Sequence, residues 1–232
     1  MKTFLKYIVL AATIAAFAEM AYAIPTLRIY SGSAVLVPDN SAGDINPSLG
    51  QVTWLGQIGN FALTVDTGTS YPNIGTLASP RLDLSFDATT SSTSPGGTLW
   101  VYFTDNGFGP TFDVGSFASI GGTTNGTVSY WVYGGSSNNL FDFNQLLFAG
   151  PFPGPSFSAN DIGVPISNEG PYSLTGLVKI VQSGAGHTSG DIMFGVGGVP
   201  DGGTTLLLLG MGLTGLGLVS PLRRRINRLV KV

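Results

Sequence analysis

Apolar and polar residues alternate through most of the chain between Leu27 and Val196. Leu27 and Ile29, then Val35 and Val37, occupy every second position around Ser31-Gly32, which predicts two short strands and a turn. The stretch from Asp39 to Gly50, with Pro38 and Pro47, reads as a loop. Val52 to Ile58 and Phe61 to Val65 flank Gly59-Asn60, a dipeptide suited to a hairpin turn. In Leu82 to Asp87 the period of two sends Leu82, Leu84 and Phe86 to one face and the acids to the other. The Ser/Thr-rich tract from Ala88 to Gly97 is expected to be a loop. Leu99, Val101 and Phe103 then resume the alternation as far as Asp105-Asn106-Gly107, residues that tolerate positive φ. Thr111 to Ile120, Thr127 to Tyr133 and Leu140 to Phe148 are further strands, enriched in aromatics that favour a pleated surface. Pro151, Pro153 and Pro155 predict a stiff loop, after which Tyr172 to Val181 and Ile192 to Val196 complete the pattern.

No window of this region carries a capped apolar repeat of 3.6 residues. Nine to eleven short strands spaced by Gly, Pro, Asn and Ser predict an all-β domain, an antiparallel β-sandwich of jelly-roll or immunoglobulin-like topology. A closed barrel is the alternative that the same alternation serves. Trp54, Trp100 and Trp131 each stand in an apolar strand, so they are expected in the core; stacking on sugar rings is their alternative use.

The two ends depart from this pattern. Residues 1–23 carry Lys2 and Lys6, an apolar run from Tyr7 to Ala18, and Ala21-Tyr22-Ala23 in the small-x-small form of a signal peptidase site. They are read as a removable export signal. Thr204 to Leu222 is nineteen residues without a charge. As a helix it would cover roughly 28 Å, close to the thickness of a bilayer's hydrocarbon core. Arg223, Arg224, Arg225, Arg228 and Lys231 follow with no acid among them, which predicts a single-pass transmembrane helix with its C-terminus in the cytoplasm. Three regions result: a signal peptide at 1–23, an exported sandwich at 24–198 and a C-terminal segment at 199–232. The central 175 residues suffice for one domain with a core of its own.

A short Pro-containing motif, a glycine-spaced apolar segment and a terminal arginine cluster, in that order, resemble the PEP-CTERM type of bacterial sorting signal. The variant that matches best opens with Val-Pro-Asp-Ser-Gly. Here the motif stands as Val199, Pro200, Asp201, Gly202 and Gly203, with Gly202 in the place of Ser and no Pro-Glu-Pro. The resemblance implies recognition by an exosortase, a membrane-embedded cysteine transpeptidase. It also implies cleavage near the motif and passage from the cytoplasmic membrane to the cell surface or the exopolysaccharide matrix. A plain anchor that is never cut is the alternative reading.

Charge sharpens the picture. The whole chain has a formal net charge of −3, but residues 24–198 hold three cations (Arg28, Arg81, Lys179) against eleven acids, a net of −8. Phosphate backbones repel such a body, so nucleic acid is not an expected partner. The chain has no cysteine, which excludes disulfides and thiolate chemistry.

Candidate chemistry is sparse. Val65-Asp66-Thr67-Gly68-Thr69-Ser70 resembles the active-site loop of aspartic proteases, but that mechanism needs two carboxyls sharing a proton, and no second Asp-Thr-Gly or Asp-Ser-Gly exists. An ordinary strand and turn is expected there. His187, the single histidine, lies in a Gly-rich stretch and reads as a solvated residue. Asp105, Asn106 and Asp113 could gather oxygen ligands for calcium, although their spacing fails the EF-hand pattern and a hairpin turn is expected instead. Gly195-Val196-Gly197-Gly198 reads as a flexible tether. Asn125-Gly126-Thr127 matches the glycosylation sequon, with no modification expected in a bacterial export pathway. No metal or cofactor is expected. The preferred function is a non-catalytic surface or matrix protein; a carbohydrate-binding module and an aspartic-protease-like hydrolase are the alternatives.

Overall fold

The computed structural model describes residues 24–93 and 95–197, and these form twelve β-strands. They are β1 (Thr26–Ser31), β2 (Ser33–Pro38), β3 (Gln51–Ile58), β4 (Phe61–Thr69), β5 (Arg81–Thr90), β6 (Gly97–Phe108), β7 (Thr111–Thr124), β8 (Thr127–Gly135), β9 (Gln145–Phe152), β10 (Ser156–Asn168), β11 (Tyr172–Gln182) and β12 (Gly186–Val196). The first sheet has the order β2-β1-β6-β11-β8-β9 and the second β10-β7-β12-β5-β4-β3. Every pairing is antiparallel. The expected sandwich is therefore present. The export signal with Ala21 and Ala23, the motif Val199 to Gly203, the apolar segment 204–222 and Arg223, Arg224, Arg225 and Arg228 lie outside the described residues. Among the described residues no helix is long and apolar enough to cross a membrane.

Inward positions of the two sheets interdigitate as the alternation requires. In β5, Leu82, Leu84 and Phe86 are buried while Asp83, Ser85 and Asp87 between them are partly exposed. Leu99, Val101 and Phe103 of β6 meet this layer from the first sheet, and each large side chain buried here contributes about 1.5 to 3 kcal/mol. Two phenyl rings are seated on glycine. A Cβ placed on Gly68 of β4 would lie 2.3 Å from the Phe103 ring, and one on Gly176 of β11 would lie 2.4 Å from the Phe194 ring. Each sheet thus gives up one side chain to admit a ring of the other.

The edge between β9 and β10 is closed by stacking rather than by a ladder. Phe86, Phe157, Phe152 and Tyr130 stack in sequence at centroid separations of 6.4, 5.5 and 5.8 Å. At the end of this stack the Tyr130 hydroxyl donates to Asp161 of β10. Burial first, then Asp161, holds that hydroxyl well above the ordinary tyrosine range.

Several expected boundaries move. β5 extends to Thr90, so the Ser/Thr tract is strand for its first three residues, and β6 continues through Asp105-Asn106-Gly107 to Phe108. The third late strand is β9 at Gln145–Phe152 rather than Leu140 to Phe148, because Phe141 takes a left-handed φ of 56°. β10 has no counterpart among the strands that the alternation predicts. It carries Pro165 and a Gly163 with φ 108°, yet as the outermost strand it pairs only with β7, where a missing N–H and a bulge are tolerated. The expected tether from Gly195 to Gly198 is corrected in part. Gly195 and Val196 belong to β12, Val196 is fully buried, and Gly197 N–H donates to Gly115 O at 3.0 Å.

Candidate functional site

The outer face of the first sheet is built from the positions that alternate with its core. Because Leu99, Val101 and Phe103 point inward, Trp100 and Tyr102 must point outward; Val128, Tyr130 and Val132 likewise force Trp131 and Tyr133 to the outside. The expectation that Trp100 and Trp131 lie in the core is therefore wrong. Only Trp54, partly buried, packs against the core cluster. The signal that could have placed them was the parity of the strand, since a run such as Leu99 to Phe103 cannot bury both of its faces in a two-layer sandwich.

Strand register sets these side chains in rows. Tyr30 is opposite Trp100, which is opposite Lys179, which is opposite Ser129. One row along, Arg28, Tyr102, Leu177 and Trp131 follow in the same order. Trp100 and Trp131 lie 5.8 Å apart at 29°, and Trp100 and Tyr102 6.3 Å apart at 20°, so three rings are close to parallel. Leu177 is only 5% exposed and lies outside the main core cluster, which makes it the floor beneath the rings. Tyr30, at 40% exposed, extends the aromatic surface toward β1.

The loop between β8 and β9 supplies one wall. Phe143 packs edge-on against Tyr133 and Tyr102 at 5.1 and 6.4 Å, and Phe141 against Tyr102 at 6.3 Å. The loop is held by Asp142, which accepts Ser137 N–H at 3.1 Å and Asn144 N–H at 3.0 Å, and by Phe141 N–H donating to Thr104 Oγ1 at 3.1 Å. Two cations complete the face. Lys179 Nζ lies 5.1 Å from the Trp100 ring centre, and the Arg28 guanidinium 5.4 Å from that of Tyr102. Burial keeps the Tyr102 hydroxyl above its usual range against the pull of Arg28. Among the described residues the only ion pair is His187 with Asp87, so neither cation has a carboxylate partner.

The outer face of the second sheet has the opposite character. An open trough of about 520 Å³ runs over β5, β12 and β7, lined by Ser85, Asp87, Ser189 and Asp191 and left shallow by Gly121 and Gly190. Ser85 Oγ donates to Asp191 Oδ2 at 2.8 Å, and His187 Nε2 lies 2.8 Å from Asp87 Oδ2. Burial, and then the neighbouring Asp191 carboxylate, raises Asp83 to about 6.

The remaining sequence candidates separate. Asp66 is fully buried at a bulge within β4, not at a strand end. Its Oδ1 accepts Asp87 N–H at 3.1 Å, its Oδ2 has no partner, and burial raises it to about 8. His187 is exposed, as expected, but stands in β12. Asp105 is fully buried, accepts Ser70 Oγ at 2.6 Å and is raised by burial to about 7, whereas Asp113 sits exposed in the β7 strand with φ 52°. Asn106 instead donates from Nδ2 to Asn138 O at 3.0 Å, so these three residues serve different contacts. Among the described residues no three of His, Asp and Glu converge as a metal set. Asn125-Gly126 forms the β7–β8 turn, where Asn125 Oδ1 accepts His187 N–H at 2.9 Å.

Comparison with known families identifies a VPDSG-CTERM motif over residues 198–226, a C-terminal sorting signal of the PEP-CTERM kind. Such a signal marks an exported, surface-directed protein processed by a sortase-like membrane enzyme. No curated protein matches the chain in sequence. Among solved structures it is similar to the enzymatically active domain of tailspike protein 4 of bacteriophage CBA120, with 13% identity and a TM-score of 0.32 over 68% of this chain and 21% of that one. It is also similar to a carbohydrate-binding module of the β-sandwich superfamily, with 9% identity and a TM-score of 0.31 over 75% of this chain and 84% of that one. YcfD, a ribosomal oxygenase from Escherichia coli, shares 10% identity at a TM-score of 0.24 over 89% and 47% of the two chains.

Proposed function

We propose that this protein is a non-catalytic component of the bacterial surface or exopolysaccharide matrix. In this reading residues 1–23 direct export, and the apolar segment 204–222 holds the precursor in the cytoplasmic membrane with Arg223, Arg224, Arg225 and Arg228 inside. An exosortase-type transpeptidase then cuts near Val199 to Gly203 and releases the sandwich outward. The observation that carries the reading is the sorting motif at 198–226. Its test is the double change Pro200→Ala with Asp201→Ala in the native host. Uncut precursor should collect in the cytoplasmic membrane, and mature protein of wild-type size in the medium would refute the sorting role. Mass spectrometry of both termini of the wild-type product reads the two cleavage points directly.

A second reading, compatible with the first, is that the sandwich binds carbohydrate. The partly exposed Trp131 ring, at one end of the stack it forms with Trp100 and Tyr102, favours it, because an aromatic face stacks on the C–H face of a sugar while the ring edge remains hydrated. Trp131→Ala should abolish retention on a polysaccharide column while leaving the circular dichroism of the strands unchanged. Equal retention of the variant would remove this reading.

A further inference from the structure

We propose that the outer face of the first sheet binds an acidic polysaccharide, with Trp131 taking the face of a sugar ring and Lys179 and Arg28 taking carboxylates along the chain. The proposal rests on the carbohydrate reading above and names its ligand class. It starts from a segregation of charge. Only three cations exist between residues 24 and 198, and two of them, Arg28 and Lys179, point outward from this face. The outward positions of β1, β6, β11 and β8 carry no acid. Asp83, Asp87 and Asp191 are instead gathered on the outer face of the other sheet.

Both cations are uncommitted to an anion. Among the described residues neither pairs with a carboxylate, and each is held over a ring, Lys179 at 5.1 Å from Trp100 and Arg28 at 5.4 Å from Tyr102. A cation held over an aromatic keeps its outward N–H donors available, and a carboxylate accepts them in a charge-assisted bond. Lys179 and Arg28 cover the rings of Trp100 and Tyr102, and the stacking surface beside them is the partly exposed Trp131. Leu177 beneath them and the loop bonded through Asp142 and Thr104 keep that surface in shape before a ligand arrives, which reduces the ordering cost of binding. The −8 of the body opposes an anionic polymer at range, but salt screens that repulsion beyond about 8 Å, and at contact the two local cations decide the sign. A neutral glucan would gain the stacking and nothing from the charges.

The experiment is affinity electrophoresis of the full-length chain in detergent micelles through gels containing sodium polygalacturonate or neutral dextran. The wild type should be retarded by polygalacturonate more than by dextran, and the difference should shrink as salt rises. Lys179→Gln and Arg28→Gln should each weaken retention about tenfold, Lys179→Arg should restore it, and Arg81→Gln on the other sheet should leave it unchanged. Equal retardation by dextran, unaffected by Lys179→Gln, would overturn the acidic ligand class and leave the carbohydrate reading standing. Retardation by neither gel overturns both. Sedimentation of the wild type without polysaccharide as a dimer that Lys179→Gln dissolves would assign the face to a second copy of the chain and overturn the proposal as well.

Discussion

At Asp66 a carboxyl with no exposed surface and one oxygen without a partner stands inside a β-strand. Burial raises it from 3.8 to about 8, and the same cause raises Asp105 to about 7. A group whose folded pKa exceeds its unfolded value binds more protons in the folded state, so stability must fall as pH rises between the two values. The protein should therefore be most stable near pH 4 and lose stability steadily up to about pH 8, which thermal melts across that window will read. Asp66→Asn keeps the oxygen that accepts Asp87 N–H and removes the titration. It should leave stability near pH 4 unchanged and raise it at pH 8 by about 1 to 3 kcal/mol; an unaltered pH slope would refute the account. Little of this is visible in the sequence, where Val65 to Ser70 resembles a protease loop. The local string cannot say that β4 runs on to Thr69, nor that a bulge turns Asp66 away from water. Gly176 makes a complementary point about space. Gly176→Ala would drive a methyl group into the Phe194 ring and should cost about 1 to 3 kcal/mol, measured as a lower urea midpoint with the sheets still formed.

Among the elements, the strands with strict alternation were legible and the irregular ones were not. Leu82, Leu84 and Phe86 face inward as the period of two demands. The tryptophans of β6 and β8 face outward despite their apolar neighbours, because the parity of Leu99, Val101 and Phe103 leaves Trp100 the other face and that of Val128, Tyr130 and Val132 does the same for Trp131. β10 escaped because an edge strand can hold Pro165, Gly163, Asn160 and Asp161 without forfeiting a ladder on its free side. The loop between β8 and β9 matters to the candidate site only through its bonds. Asp142→Ala should release Ser137 and Asn144, cost about 1 to 3 kcal/mol and move Phe143 away from Tyr133. The checks are the melting temperature and the near-ultraviolet circular dichroism of the aromatic face, which an unaffected loop would leave as in the wild type.

For the whole molecule, the two outer faces differ in charge, and a sorting motif is matched in sequence at 198–226. The sorting motif was readable because it is a linear signal, matched at 198–226 without any need of the fold. Replacing Arg223, Arg224 and Arg225 with glutamate should disturb membrane orientation, since positive charge is what resists translocation. Protease protection of the C-terminus that matches the wild type would count against that topology. The gathering of two of the three cations on one sheet could not be read linearly, because Arg28 and Lys179 are separated by most of the domain and meet only through β6. The placement of β12 has a mechanical meaning. It lies between β5 and β7, and the described residues end at Gly197, one residue past it. Antiparallel ladder bonds run perpendicular to the strand, so tension drawn from that end along β12 would load both of its ladders in shear, all bonds at once, instead of peeling them singly. A pull along that strand would then meet two ladders acting together.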